Sequence, residues 1–77
     1  MADHVTVDTR GMKCPLPVLK ARKALKELDA GGSMHVFATD PGAVKDFEHF
    51  CQVTGAVLID CREEAGGVLV FHLKKAS

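Results

Sequence analysis

The sequence predicts an α/β two-layer sandwich of element order βαβαββ, with a mixed four-stranded sheet and two helices packed on one of its faces. Three observations carry that expectation. Two segments alternate apolar and polar residues at period two, and two later ones are short apolar runs bounding a glycine loop. Two intervening segments place apolar residues at helical spacing and stop at glycine. Two strand–helix–strand crossovers followed by a hairpin then require a mixed sheet with both helices on the same side. The 77 residues suit a single domain over residues 1–77, without internal repeat, linker or low-complexity stretch.

The first strand is His4-Val5-Thr6-Val7-Asp8, followed by a glycine-bearing turn from Thr9 to Lys13. Pro15 to about Ala30 reads as a helix rich in Lys, Leu, Ala and Glu, ended by Gly31-Gly32. Its apolar stripe is Val18, Ala21, Ala24, Leu25 and Leu28. Ser33 to Thr39 is the second strand, with Met34, Val36 and Ala38 on one face. Asp40-Pro41 is a helix N-cap with proline at the first helical position, and the helix runs to Thr54 with Gly55 as its stop. Ala43, Val44, Phe47, Phe50, Cys51 and Thr54 share its apolar side. Ala56 to Arg62 and Val68 to Lys74 are the last two strands, joined by a loop from Glu63 to Gly67.

Composition excludes several classes of function. No apolar stretch approaches the roughly 18 residues of a membrane helix, and the acidic start Met1-Ala2-Asp3 does not resemble a signal peptide. The expectation is a cytoplasmic monomer whose three cysteines are free thiols. With no Trp or Tyr and only four Phe, aromatic platforms for nucleic acid are lacking, and no direct nucleic-acid partner is expected. The formal charge of zero conceals a basic segment: Arg10, Lys13, Lys20, Arg22, Lys23 and Lys26 follow one another with no acid between them. The scattered histidines His4, His35, His49 and His72 show no ligand spacing, so neither a metal nor a cofactor is predicted.

Cys14-Pro15-Leu16-Pro17 lies inside the basic segment. Prolines are tolerated in a first helical turn, where the missing N–H has no helical partner. They pin the helix start and predict Cys14 as N-cap, its sulfur facing the positive end of the helix dipole with Lys13 and Arg10 nearby. Such surroundings favour a thiolate. Pro17 stands where a second sulfur would complete a dithiol motif, so carriage or single-step attack fits better than redox cycling. Leu16 and Leu19 fall among Arg22, Lys23 and Lys26 on the wet face of the helix, which makes Leu19, Arg22, Lys23 and Lys26 a candidate docking surface. Asp8 and Gly11 organise the turn before the cysteine. Cys51 and Cys61 read as structural, small buried hydrophobes, Cys61 sharing a strand face with Val57 and Ile59.

The run Asp8-Thr9-Arg10-Gly11-Met12-Lys13-Cys14-Pro15-Leu16-Pro17-Val18 resembles the signature of the TusA/SirA-like sulfur-carrier family. That signature is a strand ending in aspartate, a glycine turn, Cys-Pro-x-Pro and an amphipathic helix. Asp40-Pro41, Phe50-Cys51 and the total length extend the likeness over nearly the whole chain. The resemblance implies a βαβαββ sandwich in which Cys14 carries sulfane sulfur as a persulfide. It implies a carrier rather than an independent turnover enzyme, loaded by a cysteine desulfurase or a rhodanese and relieved by a DsrE-type relay protein. Downstream uses in the family are tRNA 2-thiolation, molybdenum-cofactor synthesis and sulfur oxidation. The tRNA-thiolating branch commonly has an acid between the prolines where this chain has Leu16, which leaves the pathway open. The alternatives are a small nucleic-acid-binding module using the basic helix and a thiol redox regulator using Cys14.

Overall fold

A computed structural model of the chain describes residues 2–76. Strand β1 is Ala2–Thr9, helix α1 Leu16–Leu25, β2 Leu28–Ala38, α2 Ala43–Thr54, β3 Val57–Glu64 and β4 Val68–Lys74, with a 3-10 turn at Ala65–Gly67. The sheet order is β1-β2-β4-β3; β1 and β2 run parallel, and the other two pairings are antiparallel. The predicted two-layer sandwich with a mixed four-stranded sheet is therefore found.

The core lies between the sheet and the two helices. Val7, Met34, Val36, Phe71 and Leu73 from the sheet meet Ala21, Leu25, Ala43, Phe47 and Phe50 from the helices, all buried. Phe47 packs on Phe71 at a centroid distance of 4.6 Å and edge-on to Phe50 at 5.8 Å. Alternation along β1 and β2 selects this face: Val7 pairs with Val36 beneath the helices, while Thr6 pairs with His35 on the open side. Thr9, fully buried at the end of β1, donates its hydroxyl to the Phe37 carbonyl.

Helix α1 is shorter than its sequence pattern. It ends at Leu25, and Leu28 to Ala30, predicted as its last turn, open β2 instead. Leu28 is still buried, but from the sheet side. Gly31-Gly32 is no helix stop; it lies in a strand irregularity where β1 advances from Ala2 to His4 while β2 advances from Leu28 to Ser33. Gly31 has φ of 82°, and a Cβ on Gly32 would lie 2.9 Å from the carbonyls of Asp29 and Asp3. Lys75 closes the irregularity: its N–H donates to the Gly32 carbonyl, its carbonyl accepts from the Gly31 N–H, and its ammonium reaches the Leu28 carbonyl at 2.7 Å. These long-range bonds outweigh the local helical propensity of the segment.

Helix α2 begins at Ala43 rather than at Pro41. Asp40 still caps the approach, its carboxylate accepting the Gly42 N–H at 2.9 Å and its carbonyl the Ala43 N–H at 3.0 Å. The predicted stop holds, with Gly55 left-handed at φ 77°. Of the predicted apolar side, Val44 lies at the exposed margin.

Cys61 is exposed, contrary to its reading as a buried structural thiol. Strand β3 sits at the sheet edge, and its pairing with β4 is irregular between Leu58 and Asp60. The extra residue shifts the alternation, so Cys61 pairs with Phe71 and shares its face with Leu58, not with Val57 and Ile59. Both of those apolar residues are also exposed. Cys51 is half-buried and packs against the core, in line with a structural role.

Candidate functional site

Parallel β1 and β2 end at the same edge of the sheet, so the loops that follow them, and the helix starts those loops feed, lie side by side. Cys14 sits in the first loop, half-buried. Its N–H donates to Asp40 Oδ2 in the second loop at 2.8 Å. Its sulfur lies close to the opening of α2, since a Cβ on Gly42 would stand 3.5 Å from Sγ. Asp46, in the first turn of α2, is the carboxylate that weighs most on the Cys14 side chain.

Two expectations about this sulfur are corrected. Cys14 is not the N-cap of α1: that position is Pro15, with Leu16 and Pro17 as the first helical residues. The Leu16 N–H is engaged by the Lys13 carbonyl at 2.9 Å, and the Pro15 carbonyl accepts the Leu19 N–H at 3.1 Å. Pro17 is buried and anchors the turn, while Leu16 points outward. Nor is the sulfur poised as a thiolate. The Asp46 carboxylate, burial and the neighbouring Asp40 push the Cys14 thiol up to about 12. A neighbouring carboxylate that favours the protonated thiol over the anion outweighs the positive charge expected from the basic segment.

Arg10 and Lys13, predicted as the thiolate's cationic neighbours, serve other partners. Arg10 is committed to Asp8 through Nε–Oδ1 and Nη2–Oδ2 contacts, both 2.9 Å, and its N–H also reaches Asp8 Oδ1. That grip holds the Asp8 carboxyl down to about 2. Asp8 thus caps Arg10, and the Gly11 N–H goes instead to Thr39 Oγ1 at 2.8 Å. Gly11 itself turns the chain at φ 81°. Lys13 is exposed and helps to hold the Asp40 carboxyl below its ordinary value, behind the N–H groups of Cys14 and Gly42. An open hollow of about 330 Å³ between Gly11, Met12, Lys13, Thr39, Asp40 and Pro41 adjoins the cysteine loop.

The outer face of α1 is as predicted. Leu16 and Leu19 are about half exposed, at 49% and 54%, among exposed Arg22, Lys23 and Lys26. Asp40 and Asp46 are the site residues that sequence reasoning missed. They stand 26 and 32 positions beyond Cys14, and only the parallel pairing of β1 and β2 brings them to its sulfur.

Three of the histidines that look scattered in sequence also converge, on the open face of the sheet. His35 stacks on His72 at 4.2 Å and meets His4 edge-on at 4.9 Å. His35 Nδ1 lies 3.3 Å from His4 Nε2, and His4 Nδ1 lies 2.8 Å from Ser33 Oγ. Among the described residues no three side chains are arranged to hold a metal ion. Partial burial, His72, His4 and Arg62 lower the His35 pKa below 6.5. The unfolded chain therefore binds more protons as the pH falls, so this contribution to stability is present above about pH 6.5 and is lost on acidification through the folded-state value. Thermal melts should show a midpoint that falls between pH 7.5 and 5, and a His35→Gln variant should show a flatter profile over the same range. An unchanged profile in the variant would place the pH sensitivity elsewhere.

No helix among the described residues is long and apolar enough to cross a membrane. A family model described as Sulfurtransferase TusA matches residues 5–75. The chain is 47% identical over 70 residues to the sulfur carrier protein TusA of Allochromatium vinosum, covering 91% of each chain. A putative sulfur carrier protein of Neisseria meningitidis is 52% identical over 61 residues, covering 79% of this chain and 82% of the relative. The crystal structure of a SirA-like protein from Desulfitobacterium hafniense superposes with a TM-score of 0.84 at 28% identity, over 95% of this chain and 99% of that one. Fold, length and family match agree: the chain belongs to the sulfurtransferase TusA family.

Proposed function

We propose that the protein is a covalent sulfur carrier that accepts sulfane sulfur as a persulfide on Cys14 and hands it to an acceptor protein in a sulfur relay. The observation that carries this reading is the placement of Cys14 in a loop held by Asp40 and flanked by the exposed Leu16–Leu19 surface of α1. Cys51 and Cys61 have no such setting: Cys51 lies along α2 against the core, and Cys61 lies on β3 at the sheet edge, away from both loops.

In loading, the Cys14 sulfur attacks the terminal sulfur of a donor persulfide. The donor S–S bond breaks, a new S–S bond forms on Cys14, and the donor cysteine leaves as thiolate while the Cys14 proton is released. Delivery is the same exchange with Cys14 as leaving group. No electrons are gained or lost overall, so neither step calls for a redox cofactor or metal. A cysteine desulfurase or rhodanese suits the donor role and a DsrE-type protein the acceptor role. The carrier turns over only with both, which distinguishes it from an independent enzyme; the chemistry is that of the cytoplasm, where thiols stay reduced.

Incubation with a cysteine desulfurase and cysteine should add about 32 Da per sulfur atom to the peptide containing Cys14, and Cys14→Ser should abolish the gain. Loading that persists in Cys14→Ser and disappears in Cys51→Ser would reject the assignment. Leu19, Arg22, Lys23 and Lys26 are the proposed docking residues. Lys23→Glu or Lys26→Glu should slow association with an acidic partner several-fold, less so at high salt. Leu19→Ala should instead speed dissociation, because a central apolar anchor is desolvated in a complex. Transfer rates unchanged at two salt concentrations would place the docking surface elsewhere.

A further inference from the structure

The two edges of the sheet differ in how they are protected. Natural edge strands are blunted by bulges and charged residues that discourage pairing with another chain. Strand β3 carries both devices, an irregularity between Leu58 and Asp60 and the run Asp60, Arg62, Glu63, Glu64. Strand β1 carries neither over most of its length. Its register with β2 is unbroken from His4 to Thr9, and Val5-Thr6-Val7 are three consecutive β-branched residues. Among the described residues, β2 is the only strand paired with it.

A groove of about 240 Å³ runs beside that strand, between Val5–Asp8 on one side and, on the other, Lys20, Lys23 and Ala24 of α1 with Glu27 just past its end. The charges along it are graded. Lys20 acts on Asp8 at the end nearer the cysteine loop, and Asp8 is already held by Arg10. Glu27 lies at the far end, in the turn that follows α1. Lys20 and Lys23 thus stand as exposed cations above the half of the groove that leads toward Cys14.

We propose that the edge of β1 and this groove receive an extended, acidic segment of a partner chain, which pairs with β1 as a fifth strand. Main-chain hydrogen bonds to the strand supply affinity, and alternate side chains enter the groove, where carboxylates meet Lys20 and Lys23. The groove is continuous with the outer face of α1 through Lys23, so one partner can occupy both. This surface is separate from the sulfur chemistry of Cys14.

The probe is a fluorescein-labelled hexapeptide alternating Glu and Val, matched to the six registered residues of β1. Its binding is read by anisotropy, without a sulfur donor, on the wild-type and Cys14→Ser proteins. Saturable binding to both is expected, with slowed amide hydrogen exchange on alternate residues of β1. Two further peptides carry N-methyl groups on alternate residues, one in each frame. The frame whose N–H groups face the strand should lose binding by about tenfold or more, and the other should retain it. Lys20→Glu and Lys23→Glu together should weaken the parent peptide by a similar factor and flatten its salt dependence. Equal binding of the two methylated frames, protection confined to segments other than β1, or no binding at millimolar peptide would each overturn the proposal. Because no sulfur is transferred in this assay, none of these outcomes bears on the persulfide reading.

Discussion

Replacing Asp46 by Asn should make Cys14 alkylate faster at neutral pH. Asp46 is the largest of the influences that push the Cys14 thiol up to about 12, ahead of burial and Asp40. Asn is nearly isosteric and removes the charge that opposes the thiolate, so the pKa falls and the thiolate fraction at pH 8 rises. Each tenfold gain in thiolate should yield about a three- to fourfold gain in rate, because the intrinsic nucleophilicity of a thiolate declines with its basicity. The measurement is the pH profile of iodoacetamide alkylation in a background lacking Cys51 and Cys61. The Asp46→Asn curve should be displaced to lower pH, and Asp40→Asn should move it the same way by less. Asp40 also holds the Cys14 and Gly42 N–H groups, so its replacement should additionally lower the melting temperature. Coincident curves for wild type and Asp46→Asn would show that the carboxylate does not govern this thiol.

The largest loss of stability should come from Phe47→Ala. Phe47 is fully buried where α2 meets β4 and packs against both Phe71 and Phe50. Truncating such a ring removes its transfer energy and leaves a cavity, at a cost of about 3–5 kcal/mol. A chain of 77 residues has a total stability of roughly 4–12 kcal/mol, so the variant loses a large share of it. For a domain of this size the melting temperature should fall on the order of 20 °C. Calorimetry or thermal circular dichroism reads the change, and a fall of only a few degrees would mean that Phe71 and Phe50 close over the space. Phe47→Leu should cost much less, since it retains most of the volume.

Sequence patterning alone determined the sandwich, its four strands and two helices, the buried face of β2 and the exposed Leu16–Leu19 face of α1. These are decided by short-range periodicity and by the crossover rules, which act on neighbouring residues and leave few topologies. The Cys14-Pro15-Leu16-Pro17 loop was legible for the same reason: its prolines impose their conformation locally. The rest depended on contacts between residues far apart in the chain. The end of α1 was set by Lys75 and the paired glycines of β2, which draw Leu28 into the sheet against its own helical pattern. The face that Cys61 takes turned on one extra residue in β3, and its exposure on the place of that strand at the sheet edge, neither visible to a strict alternation. The convergence of His4, His35 and His72 required three strands to be placed side by side. The electrostatics of Cys14 were decided in the same way. Local sequence surrounds it with cations, yet exposed Lys and Arg side chains extend toward water or pair elsewhere, whereas Asp40 and Asp46 are fixed against the sulfur by the parallel packing of two crossovers. At a half-buried thiol, the nearest fixed charge prevails over the larger number of charges along the chain.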